Sequence, residues 1–181
     1  MMLQNANEQA VLKEVDSQKA LSAGDDSCWC RQCEADVKAL ALSKLTPCYC
    51  TTFDYTPILM TEDYLVVRQA VSQAVGRVAL HPKHDRASAG PPPGGPRVVN
   101  FIYQEGLELV GQLMEKAESR CSCEQCRRDA LAYSLNRYPP RYGVQRNGSA
   151  SLPEKEHTAI RIELAVIMGR AVRMVSDKPR H

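Results

Sequence analysis

Cys28-Trp29-Cys30-Arg31-Gln32-Cys33-Glu34-Ala35-Asp36 recurs 93 positions later as Cys121-Ser122-Cys123-Glu124-Gln125-Cys126-Arg127-Arg128-Asp129, with three cysteines and an aspartate at the same spacing. The match continues without a gap. Ala39 falls on Ala132, Leu42 on Leu135, Pro47 on Pro140, Tyr49 on Tyr142, Arg68 on Arg161, and Gly76-Arg77 on Gly169-Arg170. About a quarter of positions agree over a window of about fifty, where average residue usage gives only a few coincidences. A fixed offset sets the architecture before any helix or strand is assigned. The chain reads as two diverged copies of one module.

Within the second copy, Phe101, Ile102, Leu107, Leu109, Val110, Leu113 and Met114 recur at near-helical spacing, predicting an amphipathic helix from about Asn100 to Ser119. A second helix is predicted from about Glu124 to Arg137, where Pro139-Pro140 must stop it. Tyr142-Gly143-Val144 reads as extended and Asn147-Gly148 as a turn. The chain resumes at Pro153-Glu154 as a last helix through Ile160, Leu164, Ile167, Met168 and Val172. The first copy repeats the order less cleanly: Val11, Leu12 and Val15 open it, Val37, Leu40 and Leu42 follow, and Leu65 to Val78 close it. The fold class is therefore mainly α, with about three helices per copy. So small a unit buries little apolar surface alone, so the copies are expected to pack as an intramolecular pseudo-dimer or to need a metal staple. Gly76 and Gly169 are expected to let another helix approach closely, since glycine inside a helix costs about 1 kcal/mol against alanine.

The boundaries follow. Residues 1–80 form the first module and 98–181 the second. Residues 81–97, with Ala89-Gly90-Pro91-Pro92-Pro93-Gly94-Gly95-Pro96, form a linker that has little to bury and cannot continue a helix. Fully extended at about 3.1 Å per residue, such a linker spans some 50 Å, enough for several packing arrangements.

The chain of 181 residues carries a net charge of only +2, too small to suggest a nucleic-acid or membrane partner. The distribution is uneven: residues 1–80 hold seven Lys/Arg against ten Asp/Glu, and residues 98–181 hold thirteen against ten. Opposite signs favour contact between the copies and place an anionic ligand in the second. The start, Met1 to Glu8, has neither the basic region nor the apolar core of a secretory signal, and every long apolar run is broken by Arg, Gln or Glu. A cytoplasmic protein is expected.

Eight cysteines in such a chain point to metal ligands or reactive thiols before disulfides. Cys28, Cys30 and Cys33 in one copy, and Cys121, Cys123 and Cys126 in the other, each place three thiols at a helix N-terminus, where the dipole favours thiolate. Zinc suits such ligands, and a closed tetrahedral site needs a fourth. In the first copy this is Cys48 or Cys50. In the second those positions are Arg141 and Gly143, which leaves His157. Two further readings stand beside this: Cys48 and Cys50 shared between the copies, or buried thiols without metal.

The stretch Cys121 to Tyr142, with Asp129, Ala132, Leu135-Asn136 and Arg137-Tyr138-Pro139-Pro140-Arg141-Tyr142, closely resembles the ComFB family of late competence development proteins. In that family a short cysteine cluster leads into an Asp-x-x-Ala-Leu-x-Leu-Asn helix that closes at a Pro-x-Tyr turn. The resemblance covers residues 98 to 175 and, more weakly, 5 to 80; the first copy departs from the pattern at the turn, where Asn136 to Arg141 correspond to Ser43-Lys44-Leu45-Thr46-Pro47-Cys48. The resemblance implies a small dimerising helical protein, with zinc in some members and cyclic di-GMP in cyanobacterial ones. A tandem copy implies a pseudo-dimer within one chain, held at an effective concentration of about millimolar. Two chains can also associate further.

Two functional readings follow. In the first, a signalling module binds cyclic di-GMP through Asp129, Arg137, Tyr138, Pro140, Arg141 and Tyr142, arginine pairing with guanine or phosphate and tyrosine stacking. In the second, a zinc-stapled module without a nucleotide recruits a protein partner. An enzyme is not indicated: there is no phosphate loop and no Gly-x-Ser-x-Gly, and the histidines lack metal-hydrolase spacing. Arg68, Arg77, Arg161 and Arg170 are read as helix-to-helix contacts.

Overall fold

The computed structural model describes residues 3–22, 28–50, 61–83, 95–117, 121–146 and 152–179; the Asn147-Gly148 turn and residues 84–94 of the linker lie outside the described residues. Six helices and two short strands follow in the order α1 (Ala6–Leu21), α2 (Arg31–Leu42), α3 (Thr61–Leu80), β1 (Arg97–Asn100), α4 (Phe101–Lys116), α5 (Glu124–Leu135), β2 (Tyr142–Gln145) and α6 (Glu154–Asp177). Each module is a three-helix unit with its own core. In the first, Val11 and Val15, one turn apart, cluster with Val37, Ala41 and Leu42 of α2 and Val67 and Val71 of α3. In the second, Ile102, Leu109 and Met114 cluster with Leu131 and Leu135 of α5 and Leu164 and Met168 of α6.

The leading helices start alike. Asn5 and Asn100 stand in extended backbone, and their side-chain oxygens accept the N–H groups of Asn7 and Tyr103. These are asparagine N-caps, worth about 1 kcal/mol each. They are 95 positions apart, whereas α2 and α5 begin 93 apart, because the connection between the first two helices is two residues longer in the first module.

A small antiparallel sheet was not anticipated from the sequence. β1 pairs with β2 in the register Arg97↔Gln145, Val98↔Val144, Val99↔Gly143 and Asn100↔Tyr142. Four residues beside a Gly-Pro run are too short to display alternation. Among the described residues of the first module the ladder is represented by one bridge, Asn5↔Tyr49, the counterpart of Asn100↔Tyr142. Gly143 is needed for a different reason than backbone conformation: a Cβ there would stand 2.5 Å from the Phe101 ring. The expectation for Gly76 and Gly169 fails, because a Cβ at either would meet nothing within 4 Å. Neither glycine admits a neighbouring helix.

The modules exchange their leading arms. Leu3 is buried in the second module's core, and Val98 packs against the first module's. The contacts between them are nearly two-fold symmetric. Asn136 Oδ1 accepts the Tyr49 N–H at 2.7 Å and its amide donates to the Tyr49 carbonyl at 3.0 Å; Ser43, the counterpart of Asn136, accepts the Tyr142 N–H at 3.1 Å and donates to its carbonyl at 3.5 Å. Asn5 donates to the Tyr142 hydroxyl at 3.1 Å and Asn100 to the Tyr49 hydroxyl at 2.6 Å, while the two hydroxyls also bond each other.

Two contacts break the symmetry. Tyr142 donates to Glu8 at 2.9 Å, whereas Tyr49 stacks on Tyr103, ring centroids 6.1 Å apart. Arg146 Nη2 donates to both oxygens of Asp36, at 2.7 and 2.6 Å, across the junction. That ion pair joins the basic copy to the acidic one, and Asp36 is only 5% exposed.

Removing one partner of a buried pair strands the other charge. Arg146→Ala is therefore expected to lower stability by about 2 to 3 kcal/mol in urea unfolding, but by less than about 1 kcal/mol in an Asp36→Asn background. Burial pushes the Glu8 carboxyl up, with the Tyr142 hydrogen bond opposing it. A carboxyl raised on folding favours the folded state below its unfolded pKa and loses that advantage as pH rises through the folded value. Glu8→Gln is expected to raise the thermal midpoint at pH 7 and to leave it unraised at pH 4.

Candidate metal centres and the tyrosine turn

Each cysteine triad is built by a helix start. Cys28 and Cys121 precede the helix by three residues, Cys30 and Cys123 occupy the N-cap, and Cys33 and Cys126 sit in the first turn. The N-cap residues share one backbone conformation, φ −65° with ψ 162° in the first module and 163° in the second. In each triad the three sulphurs lie within 4.8 Å of one another. All eight cysteines are among the described residues, and none is in a disulfide.

The thiols divide the proton unequally. Burial raises the Cys30 thiol, but the Cys33 N–H, the Cys28 thiol and the Gln32 N–H outweigh it and leave Cys30 below the ordinary thiol range. Cys33 is pushed up to about 12 by burial and by Cys30 and Cys28. In the second module the Cys126 N–H and the Cys121 thiol hold Cys123 down, and burial together with Cys121 and Cys123 pushes Cys126 up to about 12. One thiolate is stabilised in each triad, and three together repel. A divalent cation removes that repulsion and takes all three as thiolates. The triads can hold a metal: sulphurs in tetrahedral coordination at about 2.3 Å stand about 3.8 Å apart, inside the 4.8 Å that bounds each triad.

The residues expected to complete the coordination lie elsewhere. Cys48 follows the far end of α2 and stands beside Cys50 and Asp63. Nε2 of His157 is 2.7 Å from Glu105 Oε2. The buried Glu105 carboxylate also accepts from Arg161, in accord with a structural reading of that arginine. This Glu105–His157–Arg161 group was missed in the sequence, although Glu105 could be placed on the leading helix and Arg161 had a counterpart in Arg68. Glu105 and His157 line a cleft of about 660 Å³ with Phe101, Glu108 and Glu154.

The residues of the Pro-Pro turn do not converge on one ligand position. Asp129 accepts from Gln125 one helical turn away at 3.1 Å. The Arg137 guanidinium lies over the Tyr133 ring at 3.5 Å and donates to the Tyr133 carbonyl. Tyr138 is buried and donates to Glu163 at 2.8 Å; its hydroxyl is pushed up to about 12 by burial and by that carboxylate. Arg141 pairs with Glu156 at 3.5 Å, its side chain 57% exposed, beside a half-buried Pro140. Tyr142 points into the junction, where burial and the Glu8 carboxylate push it up to about 12.

A second cleft, of about 490 Å³, opens at the junction, where Arg31, Glu34 and Lys38 of α2 face Gly95, Val98 and Asn100. No described helix is long and apolar enough to cross a membrane.

The family model for the late competence development protein ComFB matches residues 4–82 and again residues 104–179. No curated protein and no solved structure matches the chain.

Supplied with zinc and desalted, the chain is expected to retain two metal ions, counted by elemental analysis. Cys33→Ser and Cys126→Ser should each reduce that to one, because each removes the buried sulphur of a different triad.

Proposed function

That the chain belongs to the ComFB family is the premise from which we propose a non-catalytic regulatory protein of the cytoplasm, stapled by zinc at each cysteine triad, whose two modules form one body that recruits a protein partner. The observation carrying this reading is that both modules keep the same triad geometry while the turn after it has diverged. Duplicates that preserve a three-thiol corner at a helix N-terminus, and let a neighbouring surface drift, retain what holds the fold. Zinc is the redox-inert ion that soft thiolates select. It would be held by Cys28, Cys30 and Cys33 and by Cys121, Cys123 and Cys126, and its chemistry there is to fix three sulphurs and the helix start behind them.

The second reading is a cyclic di-GMP receptor. Two features favour it: Arg137 is already laid flat on an aromatic ring, and Arg141 keeps an exposed guanidinium on the other side of Pro139-Pro140. Against it, Tyr138 and Tyr142 are engaged within the fold. A nucleotide would meet the edge of the turn and not a stack of tyrosines.

Calorimetric titration of the zinc-loaded chain with cyclic di-GMP separates the two. No heat, with metal bound, is expected. Saturable heat that Arg141→Ala weakens by about tenfold, with metal content unchanged, would replace the first reading by the second.

A further inference from the structure

Cys48 and Cys50 stand outside both triads and flank Tyr49. Tyr49 forms the antiparallel bridge to Asn5, so its neighbours on either side share one face of an extended segment. The Tyr49 ring is buried in the second module's core, and the two half-buried thiols lie on the opposite face, in contact with each other. The second module has Arg141 and Gly143 at these positions. There the Phe101 ring covers Gly143. The counterpart of Phe101 at the start of the leading helix is Ala6, which has no ring to cover Cys50. The dithiol thus belongs to the first module alone.

We propose that Cys48 and Cys50 are a modification site: a vicinal dithiol that exchanges with a low-molecular-weight disulfide, closes into an internal disulfide, and thereby loosens Tyr49 from the second module. One thiolate attacks a sulphur of the incoming disulfide and expels one thiol, forming a mixed disulfide. The other then attacks the protein sulphur of that bond and expels the second thiol. The protein loses two hydrogens and two electrons, and the small disulfide is reduced to two thiols.

The coupling to Tyr49 is geometric. Two extended residues separate the Cα atoms of 48 and 50 by about 6.7 Å. Disulfides close most readily at about 5.5 to 6 Å, so closure draws the two residues together and bends the chain at Tyr49. That residue cannot bend freely. Its N–H and carbonyl are both held by Asn136, and the Cys48 N–H and carbonyl are held by Asn5 and the Ala6 N–H. Whatever stabilises Tyr49 in the junction opposes the disulfide, and by linkage weakening the junction favours the disulfide by the same factor.

The test equilibrates the full zinc-loaded chain in mixtures of reduced and oxidised glutathione, traps thiols by alkylation and maps them by mass spectrometry. The peptide containing residues 48–50 is expected to escape alkylation and lose the mass of two hydrogens, with a reproducible midpoint ratio. Cys48→Ser and Cys50→Ser should each abolish closure. Asn136→Ala, which removes both bonds to the Tyr49 backbone, should shift the midpoint about tenfold toward the disulfide. Asn100→Ser keeps a cap on α4 but loses the bond to the Tyr49 hydroxyl, and it should shift the midpoint the same way by about threefold, which covers the case where Asn136→Ala does not fold. Failure to close at any ratio, arrest at the mixed disulfide, or oxidation of triad cysteines while 48 and 50 stay reduced would overturn the proposal. So would closure at a midpoint that both asparagine variants leave unmoved.

Discussion

The structure depends on two asparagines that each serve both modules at once. Asn5 and Asn100 cap their own helices with a side-chain oxygen and donate across the junction to the other module's tyrosine with the amide nitrogen. An asparagine offers an acceptor and a donor on one planar group, and here the two ends are assigned to different bodies. The start of each leading helix and the closure of the junction therefore form together. Around this pair, Asn136 and Ser43 hold the backbone of Tyr49 and Tyr142 with the same logic and unequal strength, an amide on one side and a hydroxyl on the other. The arrangement is isologous in kind, although both surfaces lie on one chain. Without it, each three-helix unit would expose the place where the other's arm now lies.

Much of this was legible in the residues. The repeat and the six helices follow from self-similarity and from apolar periodicity, which are read directly along the chain. The strand pair was not legible, because Arg97 to Asn100 gives no alternation to read and its partner lies beyond two helices. Nor was the use of Tyr142. Its presence in both copies at the Tyr49 position was a signal of shared structure, but it was read as a ligand platform, since a sequence gives the residue and not the direction of its ring. Cys48 and His157 fail as neighbours of the triads for the same reason. The first lies past the far end of a helix whose N-terminus carries the triad, and the second is drawn to a buried carboxylate. Gly76 and Gly169 show the converse: they are identical between the copies, yet the space around them imposes no packing constraint.

The two triads and the dithiol divide the chain's sulphur chemistry by geometry. Three sulphurs at a helix N-terminus receive backbone N–H groups and can be held as thiolates by a cation. Cys48 and Cys50 lie instead on one face of an extended segment, past the far end of α2. The same element, placed on a helix start or on a strand, thus becomes a fixed corner or an exchangeable one.

The Asp36–Arg146 pair has a consequence for how such a chain can change. In an assembly of two identical chains every substitution appears twice, so a contact can be altered only on both sides of the axis together. Here the pair occurs once: the counterpart of Asp36 is Asp129, bonded to Gln125 within its own helix, and the counterpart of Arg146 in the sequence is the apolar Phe53. Fusion has released each half from its twin. A mutation in one copy can create an asymmetric bond, or an asymmetric cavity, while the other copy preserves the ancestral contact, and selection can act on the two halves as separate genes.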